Sequence, residues 1–142
     1  MFLFDTNVVS ELRRPDRADR NVASWAKALP ATSVFLSAIS IFEIELGALT
    51  IARRDATQGA LLRAWIDHQI FPRFEGRILA VDAVVAQRCA RLHVPDPRPE
   101  RDALIAATAL VHGLTIATRN VADFASTGVA LINPWEPRQA EN

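Results

Sequence analysis

Five short runs, apolar at almost every position, constrain this chain more than any other feature. They are Phe2-Leu3-Phe4, Val34-Phe35-Leu36, Ile78-Leu79-Ala80-Val81, Thr115-Ile116-Ala117-Thr118 and Val129-Ala130-Leu131-Ile132. A strand with one wet face alternates apolar and polar residues. A run without that alternation fits a parallel strand covered on both faces. Helical patterns fill the intervals: a short one through Val8, Val9 and Leu12, and an amphipathic one at Trp25, Ala26 and Leu29 that Pro30 ends. A long pattern runs from Ser37 to Arg53 and another from Gln58 to Phe71, stopped near Pro72. Two more cover Ala83 to Leu92 and about Arg101 to His112, with Gly113 placed as a C-terminal cap. The segment Val94-Pro95-Asp96-Pro97-Arg98-Pro99 cannot be helical and is expected to form a rigid loop. Strands alternating with helices predict a three-layer α/β/α sandwich around a central, mostly parallel sheet of about five strands. The paired helices between Ser37 and Phe71 stand out as an αα insertion in that alternation.

At 142 residues, half of them hydrophobic, the chain reads as a single domain, 1–142, with residues 136–142 as a frayed tail. No apolar run approaches the ~20 residues of a membrane span, and no charged-then-apolar leader opens the sequence. Cys89 is the only cysteine, so neither an internal disulfide nor a multi-cysteine metal site is expected. A cytoplasmic protein with no membrane association fits these features best. Basic and acidic residues both total 16, which removes any global signal for nucleic acid or membrane. Lys27 is the only lysine, and the resulting arginine excess is read as genomic composition. Arg13, Arg14, Arg17 and Arg20 form the densest basic stretch. It has two readings of equal weight, a solvated loop or a patch facing RNA.

Chemistry enters with the acids. In a parallel α/β sheet the carboxyl ends of the strands and the amino ends of the helices share one rim, where ligands bind. Asp5 follows the first strand directly. Glu43 lies early in the helix after Val34-Leu36, on a face with Ser40, Gly47 and Thr50. Asp102 opens the helix that feeds the fourth strand, on a face with Ala106, Ala109 and Gly113. Asp123 follows the fourth strand across Arg119-Asn120-Val121-Ala122. Each acid also has a structural explanation. Asp5 suits a turn or cap, Ser40 with Glu43 matches a capping box, Asp102 suits a first helical turn, and Asp123 suits one capped by Asn120. Together, however, the four fall on one edge from four separate segments. Carboxylates ~4 Å apart repel by ~1 kcal/mol in water and ~4 kcal/mol at an intermediate dielectric. Hard divalent cations relieve such clusters, and an acid-held cation suits in-line displacement at phosphorus. Glu45, on the apolar arc with Ile41, Leu49 and Ala52, is expected to take part in a structural or interfacial ion pair.

The same residues resemble a known family. Phe4-Asp5-Thr6-Asn7, Leu36-Ser37-Ala38-Ile39-Ser40 with Glu43 and Gly47, Asp102 to Ala109, and Thr118-Arg119-Asn120 with Asp123-Phe124 are similar to PIN-domain nucleases. More narrowly they resemble the VapC/FitB toxins of bacterial toxin–antitoxin pairs. The likeness runs from Phe2 to Trp135, and Asn133-Pro134-Trp135 is similar to a common VapC ending. The resemblance implies a PIN-like sandwich and a Mg²⁺-dependent endoribonuclease, with Mn²⁺ as the alternative ion. It implies Asp5, Glu43, Asp102 and Asp123 as metal-binding acids, supported by Thr6 and Asn120. It also implies a homodimer that forms a hetero-oligomer with a small antitoxin, itself a DNA-binding protein, whose C-terminal segment reaches the acidic rim. The proline-rich loop at Pro95-Pro99 departs from the family pattern.

Other candidates carry less. His68, His93 and His112 share no ligand spacing, Cys89 is expected to be buried, and Trp25 and Trp65 are expected to be core or dimer-contact residues, not a base-stacking platform. The five glycines form no phosphate loop. An aspartyl phosphatase would need a second acid two residues after Asp5, where this chain has Asn7. A further alternative is a non-catalytic module acting within a DNA-binding toxin–antitoxin complex.

Overall fold

In the computed structural model, which describes residues 1–137, β1 (Phe2–Phe4) is the middle of a five-stranded sheet. The others are β2 (Val34–Ser37), β3 (Ile78–Leu79), β4 (Thr115–Ala117) and β5 (Leu131–Ile132), in the order β3-β2-β1-β4-β5 with every pairing parallel. The chain builds outward from β1 to β2 and β3, then crosses back to lay β4 and β5 on the other side. Connections from β1 and β4 therefore diverge, which opens a crevice beyond the carboxyl end of β1.

Strand composition explains the central position. Leu3 and Phe4 point to opposite faces and both are buried, each in a different cluster. On one face Phe4 packs with Val8, Val22, Trp25, Leu36, Ile44, Ile66 and Phe74. These come from β2, α1 (Thr6–Glu11), α2 (Arg20–Lys27), α3 (Ala38–Ala52) and the segment 66–74 that follows α4 (Ala56–Trp65). On the other face Leu3 packs with Ile105, Ala106, Ala109, Ile116 and Phe124, which belong to α7 (Glu100–His112), β4 and α8 (Val121–Phe124). Helix α6 (Ala83–Leu92) lies against α7 through Val85, Cys89, Ala103 and Ala107. This is the expected three-layer arrangement.

Several boundaries differ from the sequence reading. The third and fifth strands are two residues long: Ala80 and Val81 turn into solvent, Val129 precedes the ladder, and Ala130 joins it only by its carbonyl, which accepts the Ile116 amide at 2.9 Å. The expected helix stop near Pro72 is instead a change of register. A π-helical turn at Ile66–Ile70 is followed by α5 (Phe71–Arg73), which contains Pro72. A wider turn just before a proline opens the spiral where its ring would meet the carbonyl four residues back. The αα pair is present, and its helices meet tightly at Gly59, where a Cβ would lie 2.5 Å from the Ala52 Cβ. Arg63 ties the pair together, with Nη1 2.5 Å from Glu45 Oε2 and a second bond to Asp67 at 2.8 Å. Glu45 is thus the structural ion-pair member. Helix α7 ends at Gly113 with φ 66°, the left-handed cap that favours glycine. The loop before α7 is held by Arg98, which donates through Nε to the Leu92 carbonyl at 2.7 Å and through Nη1 to Ser126 Oγ at 2.6 Å. Of the expected tail, Glu136 still donates its amide to the Asn133 carbonyl at 3.2 Å, and residues 138–142 lie outside those described.

Candidate active site

Asp5 is the first residue past β1 and the N-cap of α1. It is 7% exposed, an unusual setting for a carboxylate. Oδ1 accepts the Thr6 amide at 2.8 Å, while Oδ2 accepts the Thr118 hydroxyl at 2.8 Å and the Asn7 amide nitrogen at 3.5 Å. Burial nevertheless pushes this carboxyl above its ordinary 3.8. The hydrogen bonds from Thr118 and Thr6 oppose the shift, and the charges of Glu43 and Asp123 add to it.

The other three acids are graded outward from this floor. Glu43 is partly buried, and its Oε1 accepts the Thr6 hydroxyl at 2.9 Å while Oε2 stands 3.8 Å from Arg101 Nη1. Asp102, also partly buried, sits in the first turn of α7. Burial raises its pKa, and the charges of Asp5 and Asp123 raise it further. Asp123 is exposed at the start of α8. Asp5 is thus within electrostatic reach of Glu43, Asp102 and Asp123, and Asp102 also of Asp123. Among the described residues, no three acids or imidazoles are gathered closely enough to grip an ion directly as they stand.

Two structural explanations fail here. Helix α3 is capped by Ser37, whose hydroxyl accepts the Ile39 amide at 3.0 Å, so no capping box joins Ser40 to Glu43. The cause is that β2 runs straight into α3 at Ser37, which places Glu43 in the second helical turn. Asn120 occupies the N-cap position of α8, yet its side chain makes no capping bond there. Its amide donates instead to Thr118 Oγ1 at 3.0 Å. Thr6 thus meets the acids directly, Asp5 by its amide and Glu43 by its hydroxyl, whereas Asn120 acts through Thr118.

Thr118 is the site residue that sequence reading missed. It is fully buried, and its hydroxyl donates to Asp5 while accepting from Asn7 Nδ2 at 3.2 Å and from the Asn120 amide. One donor and both lone pairs are therefore used. Register alone reveals this role: Phe4 pairs with Ala117, which sets Asp5 beside Thr118. Arg101 was missed too; besides meeting Glu43, its Cζ lies 4.9 Å from the Phe42 ring centroid.

A buried aspartate after the central strand, with three acids from later segments around it, is also what a family match accounts for. The PIN domain matches residues 2–129. The chain belongs to the PIN-domain family. Toxin FitB from Neisseria gonorrhoeae is 38% identical over 141 residues, covering 95% of this chain and 99% of that protein. VapC ribonuclease Y4jK from Sinorhizobium fredii is 34% identical over 142 residues, covering 96% and 99%. The solved structure of FitAB bound to an IR36 DNA fragment superposes with a TM-score of 0.88 at 34% identity, covering 99% of this chain and 100% of that one. In this PIN domain, His93 serves the loop before α7 by accepting the Arg98 amide, and His112 is the last residue of α7. No helix among the described residues is long and apolar enough to cross a membrane.

Proposed function

We propose that this PIN domain is a metal-dependent endoribonuclease, the toxin of a toxin–antitoxin pair, with Asp5, Glu43, Asp102 and Asp123 as its catalytic acids. The observation that carries the reading is Asp5: a buried carboxylate that accepts hydrogen bonds from Thr118 and Thr6, with its pKa raised by burial and by the negative charges of Glu43 and Asp123. A fold gains no stability from that arrangement, which is the kind of strain found at functional sites. The ribonuclease and toxin names of the relatives support the same reading.

The donor set fits a hard divalent cation, Mg²⁺ or Mn²⁺, since every candidate donor is a carboxylate oxygen. Such an ion is ordinarily held by a few carboxylates and keeps several of its waters. Asp5, Glu43, Asp102 and Asp123 would hold it. A cation bound there supplies the Lewis acidity and charge neutralisation that phosphodiester hydrolysis needs.

The chain's own residues prepare the rest. Thr118 and the Thr6 amide fix the Asp5 carboxylate by both oxygens, so no side-chain reorganisation is needed when substrate arrives. The Thr6 hydroxyl holds Glu43 in register with it. Arg101 offers a guanidinium to whatever negative charge gathers over Glu43. An acidic site of this kind engages phosphate and not base edges.

A small antitoxin is the expected inhibitor, and the FitAB complex on DNA supports a hetero-oligomeric assembly. A homodimer through α3 and α4 would cover Phe42, Leu49 and Leu61, which are 50%, 62% and 52% exposed. The test is chemical. Purified, antitoxin-free protein should cleave single-stranded RNA with Mg²⁺ or Mn²⁺, leaving 5′-phosphate and 3′-hydroxyl ends. Cyclic phosphate ends would point to attack by the ribose hydroxyl and contradict the mechanism.

A further inference from the structure

Beside the acids, α1, α3 and α4 enclose a cleft of about 170 Å³. Its lining joins Thr6 and Glu43 of the candidate active site to Arg13, Gly47, Ile51 and Trp65. Acid and arginine share one cleft without pairing. Glu43 engages Thr6 and Arg101, and among the described residues the ion pairs belong to Arg63 and Arg101. Arg13 is partly buried, with no carboxylate partner among the described residues. Burial first, and then the charge of Arg14, hold its guanidinium below the usual arginine value. A cation in that condition is poised for an anionic group with two acceptor oxygens.

Gly47 adds a second, independent observation. A Cβ built on it would meet nothing within 4 Å. The helix surface there is bare backbone facing open space, between the apolar wall of Ile51 and Trp65 and the acidic site. A flat group can lie against it.

We propose that this cleft holds the ribonucleotide next to the scissile phosphate, with its base against Gly47 and Ile51 and its phosphate on Arg13. A base and a phosphate combine the two chemistries that the cleft offers. This assignment rests on the nuclease reading, and it extends that reading from the bond cleaved to the strand beside it. Substrate selection then resides in α1, α3 and α4, because the four acids recognise only phosphate.

The experiment measures binding of a fluorescently labelled single-stranded oligoribonucleotide by anisotropy, in EDTA so that hydrolysis does not intervene. Arg13→Gln should weaken binding about tenfold, the loss of one charge-assisted contact. Its plot of log affinity against log salt should be shallower by about 0.7, the share of one single-strand phosphate. Arg13→Lys should restore the slope. Gly47→Leu should weaken binding about tenfold by filling the cleft, yet melt above the parent because leucine favours a helix interior over glycine. Gly47→Ala should bind nearly as the parent does. Unchanged affinity and salt slope in Arg13→Gln overturn the proposal, even if Gly47→Leu fails to fold. Unchanged RNA affinity with weakened binding of an acidic peptide gives the cleft to a protein partner and overturns it equally. Binding is read apart from hydrolysis. A protein that binds RNA through this cleft and cleaves none therefore refutes the nuclease reading alone.

Discussion

Asp102→Asn separates a functional acid from a structural one. The substitution removes one charge and keeps the shape. Among the described residues Asp102 accepts no side-chain hydrogen bond that the amide would lose, whereas Asp5 accepts three. Two effects compete at this position. A first-turn acid gains ~0.3–1 kcal/mol from the helix dipole. Against it stand burial and the charges of Asp5 and Asp123, which together raise its pKa above 3.8. Each such neighbour repels by ~1 kcal/mol at a few ångströms in water, less when salt screens it. The raised pKa means that the unfavourable side wins. Removing the charge at pH 7 in EDTA should therefore stabilise the fold by about 1 kcal/mol, roughly 3 °C in Tm for a domain of this size. The sign with pH follows from the same shift. Between 3.8 and the raised value, the folded protein keeps a proton that the unfolded chain has released, so stability falls as pH rises through that window. The gain in the variant should shrink toward pH 3.8. Thermal melts of parent and variant across pH, with EDTA and with Mg²⁺, measure all of this. Mg²⁺ should raise the parent's Tm and the variant's much less. A variant that melts lower than the parent in both buffers, and still cleaves RNA, would refute the reasoning and leave Asp102 as a helix-start residue.

Three further outcomes are expected. Thr118→Val removes a hydroxyl used by three partners and should cost ~1–3 kcal/mol in urea unfolding. Because the Thr118 bond opposes the upward shift at Asp5, the acid limb of the pH–rate profile should also move to higher pH. Glu45 is held below its ordinary 4.5 by the Arg63 hydrogen bonds, so its contribution is present above 4.5 and lost as pH falls below it. Glu45→Gln should accordingly flatten the acid side of the Tm–pH curve without changing RNA cleavage. Leu49→Glu, at the most exposed leucine of α3, should convert a dimer to monomer in light scattering at micromolar concentration. A parent already monomeric there would contradict the dimer.

Residue pattern carried the fold because it is written locally. Phe2-Leu3-Phe4 is apolar on both faces since it is the central strand, and helix α6 matched its expected limits at Ala83 and Leu92. Strand ends were less legible. Ala80 and Val81 are as apolar as Ile78 and Leu79, but no neighbouring strand reaches them. The capping-box reading of Glu43 failed because Ser37 and Ser40 are both good caps three residues apart, and only the end of β2 selects between them. Ser40 is instead buried inside the helix. Rim placement of the acids was legible because strand ends and helix starts share an edge in any parallel α/β sheet. The roles of Thr118 and Arg101 were not. Each depends on a pairing between distant segments, β1 with β4 and α3 with α7, that no local pattern encodes.

The most direct test of the central claim is RNA cleavage by purified parent and Asp5→Asn protein, side by side in Mg²⁺ and in excess EDTA. The account predicts cleavage by the parent in Mg²⁺ only, and none by the variant in either buffer while its circular dichroism matches the parent's. Full cleavage by the parent in EDTA, or by Asp5→Asn in Mg²⁺, would contradict it.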